Sequence, residues 1–279
     1  MSNFYQKLTQ SMLIAGGIIA SAPSAVATSF TINSGEPVTA TQTLVNGETG
    51  LIESGGFLIT TEFSITGGGN AVITNNGTIT TTGNTGSSAG LNPSSSGNVI
   101  INNGTINTSG FQADGLRDSG TNTVFTNNGS IITTGDRAEG ILTTQSDSTY
   151  NNAGLIDTSG ELSVGIITSG DNETINNSGT IITRGANADG IRGNVALALT
   201  VTNSGTIRIR GTNAAGIEVN RSVTFTNSGL ISAEGSATDA IIGSTETETV
   251  NLLSGSQIIG IIDLDDGTDI VNISGANNS

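Results

Sequence analysis

The sequence repeats one phrase. "NNGSIITTGDRAEGI" (Asn127–Ile141), "NSGTIITRGANADGI" (Asn177–Ile191) and "NSGTIRIRGTNAAGI" (Asn203–Ile217) share a single grammar. Aligned on the Gly of an Asn-x-Gly triplet, the anchors are Gly77, Gly104, Gly129, Gly154, Gly179, Gly205 and Gly229, separated by 27, 25, 25, 25, 26 and 24 residues. Self-similarity at this period marks stacked supersecondary units, because one such unit cannot bury its apolar face alone.

The columns of the repeat identify the unit. Two residues before the anchor stands Asn75, Asn102, Asn127, Asn152, Asn177, Asn203 or Asn227; two after it stands Ile79, Ile106, Ile131, Ile156, Ile181, Ile207 or Ile231. Four before it lies a large apolar or aromatic residue, from Ile73 to Phe225, and six after it a second Gly, from Gly83 to Gly235. Leu91, Leu116, Ile141, Ile166, Ile191, Ile217 or Ile241 follows later in the unit. Even spacing about the anchor is the side-chain period of a strand, and no column recurs at three and four as a helix requires. Thr, Ile and Val favour strands, whereas Gly and Asn mark turns. Leucine-rich repeats share the period but need several fixed Leu per unit. The expected fold is therefore all-β: a single-stranded, right-handed parallel β-helix of about nine rungs, about 25 residues each.

In that fold the Ile columns stack along the axis, each full burial contributing roughly 1.5–3 kcal/mol. The Asn column is expected to form a ladder of side-chain amides, as in cross-β stacks. The two Gly columns are expected to supply backbone conformations closed to other residues. Two degenerate rungs extend the series, one anchored on Gly50 with Ile52 and Gly56, the other on Gly255 with Leu253 in place of Asn. The domain reading is residues 1–27 as a signal peptide, 28–45 as an N-terminal cap over an open sheet edge, and 46–279 as repeats.

The leader reading rests on Lys7, the apolar stretch "MLIAGGIIASA" (Met12–Ala22) and the small-x-small pattern Ala25, Val26, Ala27. The stretch is too short for a stable membrane helix. Cleavage after Ala27 removes the only Lys, and seven Arg minus 23 acids leaves −16. Nucleic-acid binding rests on clustered Lys and Arg and is excluded as the main role. The chain has no His and no Cys, so the usual zinc ligands and a Ser-His-Asp triad are missing. "DSG" at Asp118–Gly120 has no His to activate Ser119. No cofactor is expected.

The leader, the Asn-x-Gly-Thr-Ile rungs and the closing "GSQIIGIIDLDDGTDIVNISG" (Gly255–Gly275) together resemble an autotransporter passenger domain, over roughly residues 1 to 275. The closing segment resembles the repeats that precede the outer-membrane barrel in that family. The resemblance implies export, then display on or release from the surface of a Gram-negative bacterium, most commonly for adhesion to host cells or matrix glycans. It also implies an outer-membrane translocator β-barrel as partner. Such a barrel needs many alternating ten-residue strands with aromatic girdles, and the chain after Ala27 holds seven aromatic residues. The barrel is therefore expected on a separate chain or beyond a truncation, and the rod is expected to be a monomer.

Several residues invite a sharper chemistry. Asp263, Asp265, Asp266 and Asp269 form an acidic turn that offers oxygen ligands to Ca²⁺; a solvated turn is the preferred reading. Arg184 and Arg210 share the column five after the anchor, with Arg208 nearby; they offer a contact to a small anion or sugar, and solvation is the preferred reading. Asp114, Glu139, Asp189 and Asp239 recur ten residues after the anchor. Glycosidase work needs a shielded acid of raised pKa; this column is read as an exposed stripe. A Thr column (Thr81, Thr108, Thr133, Thr158, Thr183) motivates ice or mineral binding, but it shares parity with the buried Ile and is expected inward. Adhesive display, a carbohydrate-active enzyme and an ice- or mineral-binding solenoid thus stand as the three readings. Binding without catalysis is preferred, because no rung gathers a nucleophile and a base.

Overall fold

The computed structural model describes residues 29–84, 88–194, 198–234, 236 and 239–275. The proposed leader and Gly235 lie outside them. The described chain is an all-β solenoid of three parallel sheets with 11, 9 and 10 strands. Each complete turn contributes one strand to each sheet, for example Val124–Asn127, Ser130–Thr133 and Ile141–Thr143. Each strand pairs in register with its equivalent one turn away, as Ile106 with Ile131 and Ile131 with Ile156.

Alternation of side chains decides what lies inside. Ile73, Ile100, Phe125, Tyr150, Ile175, Val201 and Phe225 line the first sheet's inner face, the Ile79–Ile231 column the second's, and the Leu91–Ile241 column the third's; all are buried. The Thr81–Thr183 column is also buried. Its β-branched carbons fill the corner after the second sheet, and Thr133 and Thr158 donate to the carbonyls of Ala138 and Ser163 at 2.7 and 2.6 Å.

The turn between the first and second sheets explains the Asn-x-Gly triplet. Only two residues link the strands there, as Asn128 and Gly129 do between Asn127 and Ser130. The expected reason for the anchor Gly needs correction. These glycines do not adopt left-handed backbone; among described residues such φ values fall elsewhere, as at Asn122, Arg137 and Asn172. A Cβ at Gly129 would instead lie 2.0 Å from the Gly104 carbonyl oxygen, and one at Gly135 1.8 Å from the Gly110 oxygen. The glycines let successive turns approach within strand spacing where the backbone bends sharply.

Both degenerate rungs shift from their expected anchors. Ile52 pairs with Asn75 and Phe57 with Thr78, so Gly56 stands at the anchor position, not Gly50. At the other end Asn227 pairs with Leu252 and Leu230 with Gln257, which puts Ser256 rather than Gly255 at the anchor position. Without the Asn, both turns widen to four residues (53–56 and 253–256) and recruit left-handed Gly55 and Gly255. Residues 30–44, expected as a cap, form a turn of the solenoid. Phe30–Ile32 and Gln42–Leu44 pair with the next turn, and Val38 bridges Leu58.

Candidate functional sites on the solenoid

The Asn column is a continuous interior ladder. Asn75 Nδ2 donates to Asn102 Oδ1 at 2.7 Å, and the chain of bonds runs on through Asn127, Asn152, Asn177 and Asn203 to Asn227 at 2.7–2.8 Å. Asn227 Nδ2 ends the series on Ser256 Oγ at 2.6 Å. The second amide hydrogen reaches a backbone carbonyl, such as Leu155 O from Asn127 at 3.1 Å. Every amide is committed to its neighbours, so the ladder serves the turn and leaves nothing to offer a ligand.

The column ten residues after the anchor is not the exposed stripe read from sequence. Asp114 and Asp189 are fully buried, and Glu139 and Asp239 are half-buried. These positions lie in the corner entering the third sheet, where strand alternation no longer tells inside from outside. Asp114 accepts from Arg117 Nε at 2.7 Å and from the Glu139 amide at 2.9 Å. Its carboxyl also shares a hydrogen bond with that of Glu139. Burial, then that bond and the Asp114 charge, push Glu139 up to about 9, while burial raises Asp114 against the opposing pull of Glu139 and Arg117. The Arg117 guanidinium favours the ionised form of Asp114, and the Asp114 charge favours the protonated form of Glu139.

Three turns on, the same device recurs. Arg192 joins Asp189 and stands 3.5 Å from Glu218, and Ala215 N–H donates to Asp189 at 2.8 Å. Burial, then the hydrogen bond to Glu218, raise Asp189 to about 7. A group of a different kind escaped the sequence reading. Tyr150 Oη donates to the buried Asp118 at 2.7 Å, and Asp118 also accepts from Gly120 N–H at 2.9 Å and Thr123 Oγ1 at 3.2 Å. The Glu173 carboxyl, fully buried one turn beyond Tyr150, makes no hydrogen bond of good geometry, although the Ser148 N–H faces it. Burial, then the Asp118 charge, raise it to about 8. The column before the first sheet mixes Ala71, Leu199 and Val223 with the acids Glu48, Glu173, Glu248 and Asp269, and those recurring acids are the signal that the sequence carries.

Arg184, Arg208 and Arg210 form ion pairs between turns. Arg184, 37% exposed, grips Asp157 with Nε at 3.0 Å and Nη2 at 2.7 Å. Arg208 and Arg210 share Glu234 at 2.8 and 3.1 Å. The acidic turn does not assemble into a calcium cage. Asp263 accepts from Asp265 N–H at 3.1 Å, Asp269 turns inward onto Glu248 N–H at 3.0 Å, and Asp265 and Asp266 are exposed. Among described residues no group of three or more His, Cys, Asp or Glu is placed to hold a metal ion. Comparison with protein families, curated proteins and solved structures finds no match.

Proposed function

We propose that the protein is an exported β-solenoid passenger of the autotransporter kind, displayed at or released from a Gram-negative surface, where it acts by adhesion or as a structural rod. The observation that carries this reading is the in-register stack itself: about 25 residues of simple sequence add one turn, so repetition becomes reach. An extended face with equivalent positions on successive turns favours many weak contacts, whose combined strength exceeds that of any one. Beyond the proposed leader its composition is Lys-free and acidic, which suits a chain that avoids nonspecific association. Host cells and matrix glycans are the proposed targets, and an outer-membrane β-barrel the proposed translocator.

The paired carboxyls favour a second reading, a carbohydrate-active enzyme. A shielded acid near a second carboxylate is what glycoside hydrolysis uses. Against it, Asp114 and Asp189 are sealed in the wall and neutralised by Arg117 and Arg192. The test is to immobilise the purified chain and measure binding to cells and matrix glycans beside hydrolase and lyase assays. Saturable binding without turnover supports display. Turnover of a polysaccharide that Glu139→Gln abolishes, in a variant that folds normally, establishes the enzyme instead.

A further inference from the structure

The three outer faces of the solenoid differ sharply in charge. The second sheet turns Asp157 and Arg208 outward, and the third turns out Arg117, Arg192 and Glu218. On the first sheet the outward positions form two columns, one from Thr49 to Ile270 and one from Thr31 to Asn272. Their occupants are Thr, Val, Ile, Leu and Asn, with no charged residue, although the chain carries 8 basic and 23 acidic residues. Thr149, Thr174, Thr200 and Thr224 follow one another in the first column, and Thr202 and Thr226 flank the last two in the second. This sheet pairs from Thr49 to Ile273 without a register shift.

We infer that this face binds ice, through an ordered layer of water held on its Thr and Asn columns. Successive turns place equivalent groups about 4.8 Å apart, and alternate residues of one strand roughly 6.7 Å apart. Both spacings are close to the repeats of oxygen sites on a prism face of hexagonal ice. Thr suits the task because its β-branched side chain has few rotamers, so a methyl and a hydroxyl stay on the lattice with little ordering left to do on binding. The amides are fixed too: Asn176 Nδ2 donates to Asn151 Oδ1 at 2.9 Å, Asn272 to Asn251 at 2.9 Å, and Asn251 to Thr226 Oγ1 at 3.3 Å. A charged side chain would orient water around itself and break that lattice, and the face has none. The Thr column that suggests ice binding in the sequence is interior; the array that fits lies on another sheet. The inference goes beyond display, since it concerns what one face binds and not where the rod stands.

The test uses the purified 279-residue chain in ice-recrystallisation and thermal-hysteresis assays, with labelled protein offered to a single-crystal ice hemisphere. The expected result is faceted crystals, a hysteresis gap and uptake on prism planes. Thr200→Tyr with Thr224→Tyr, both exposed positions, should remove most of the gap. Thr200→Val, which keeps the methyl, should remove less, and Arg210→Tyr, just past the second sheet's strand, should leave the gap intact. Circular dichroism and melting temperature confirm that each variant folds. A folded wild-type chain with no effect on ice overturns the inference, even if it binds crystalline cellulose or chitin. So does a folded double Tyr variant with undiminished activity, or an equal loss in Arg210→Tyr.

Discussion

Three residues apart, two side chains meet opposite environments. Ile181 is fully buried between Ile156 and Ile207, whereas Arg184 lies at the surface beside Asp157. Ile181→Asp places an uncompensated carboxylate inside the stack and should cost well over the roughly 2–5 kcal/mol of a large-to-small core change. Arg184→Ala removes an exposed ion pair and should cost less than about 1 kcal/mol. Urea denaturation of both variants checks the pair, and equal shifts in midpoint would overturn the assignment of inside and outside. The parity of these positions is legible in the sequence because a strand alternates strictly. Asp114 and Asp189 are not legible in that way. They sit in corners, and their burial depends on Arg117 and Arg192 three residues on, which sequence parity alone reads as independent surface charges.

At the scale of the turn, Asn and Gly divide the work. Asn152 donates its amide hydrogens to Asn177 Oδ1 and Thr180 O, and accepts from Asn127 at 2.8 Å. Asn152→Ala strands the Asn127 donor and the Asn177 acceptor, and at about 1–3 kcal/mol per unsatisfied buried group it should lower stability by several kcal/mol in thermal unfolding. Gly154→Ala presents a different fault. The new Cβ would lie 2.0 Å from the Gly129 oxygen, so the turns must separate, at a cost of about 1–3 kcal/mol typical of overpacking. A melting temperature for Gly154→Ala equal to wild type would show that the turn spacing is not set there. The existence and period of the turns could be read from sequence because each turn repeats these two requirements. The reason for Gly could not, since a left-handed φ and a close backbone approach leave the same letter. The terminal turns were misaligned for a related reason: Ile52 and Leu252 replace the Asn, and two extra residues then close the turn another way.

For the whole molecule, eleven strands in the first sheet stack to roughly 50 Å at strand spacing. Small-angle scattering should report an elongated particle and circular dichroism little helix; a compact sphere would contradict the stack. The interior also makes stability depend on pH in an uncommon direction. Glu139, Glu173 and Asp189 bind protons in the folded state up to about 9, 8 and 7, against ordinary values of 4.5, 4.5 and 3.8. Between each pair of values the folded chain holds more protons than the unfolded one, so stability falls as pH rises. The contribution of these groups is complete below about pH 4 and is lost progressively toward pH 9, where the folded state must ionise carboxyls inside its wall. Net negative charge grows over the lower part of the same window and adds self-repulsion. The expected melting temperature is therefore higher at pH 5 than at pH 9. Glu139→Gln isolates one group: its amide can donate to Asp114 but cannot ionise. The variant should melt like wild type at pH 5 and above it at pH 9. A profile that rises from pH 5 to pH 9, or a Gln variant that follows wild type throughout, would show that the proton between Asp114 and Glu139 does not help hold the turns together.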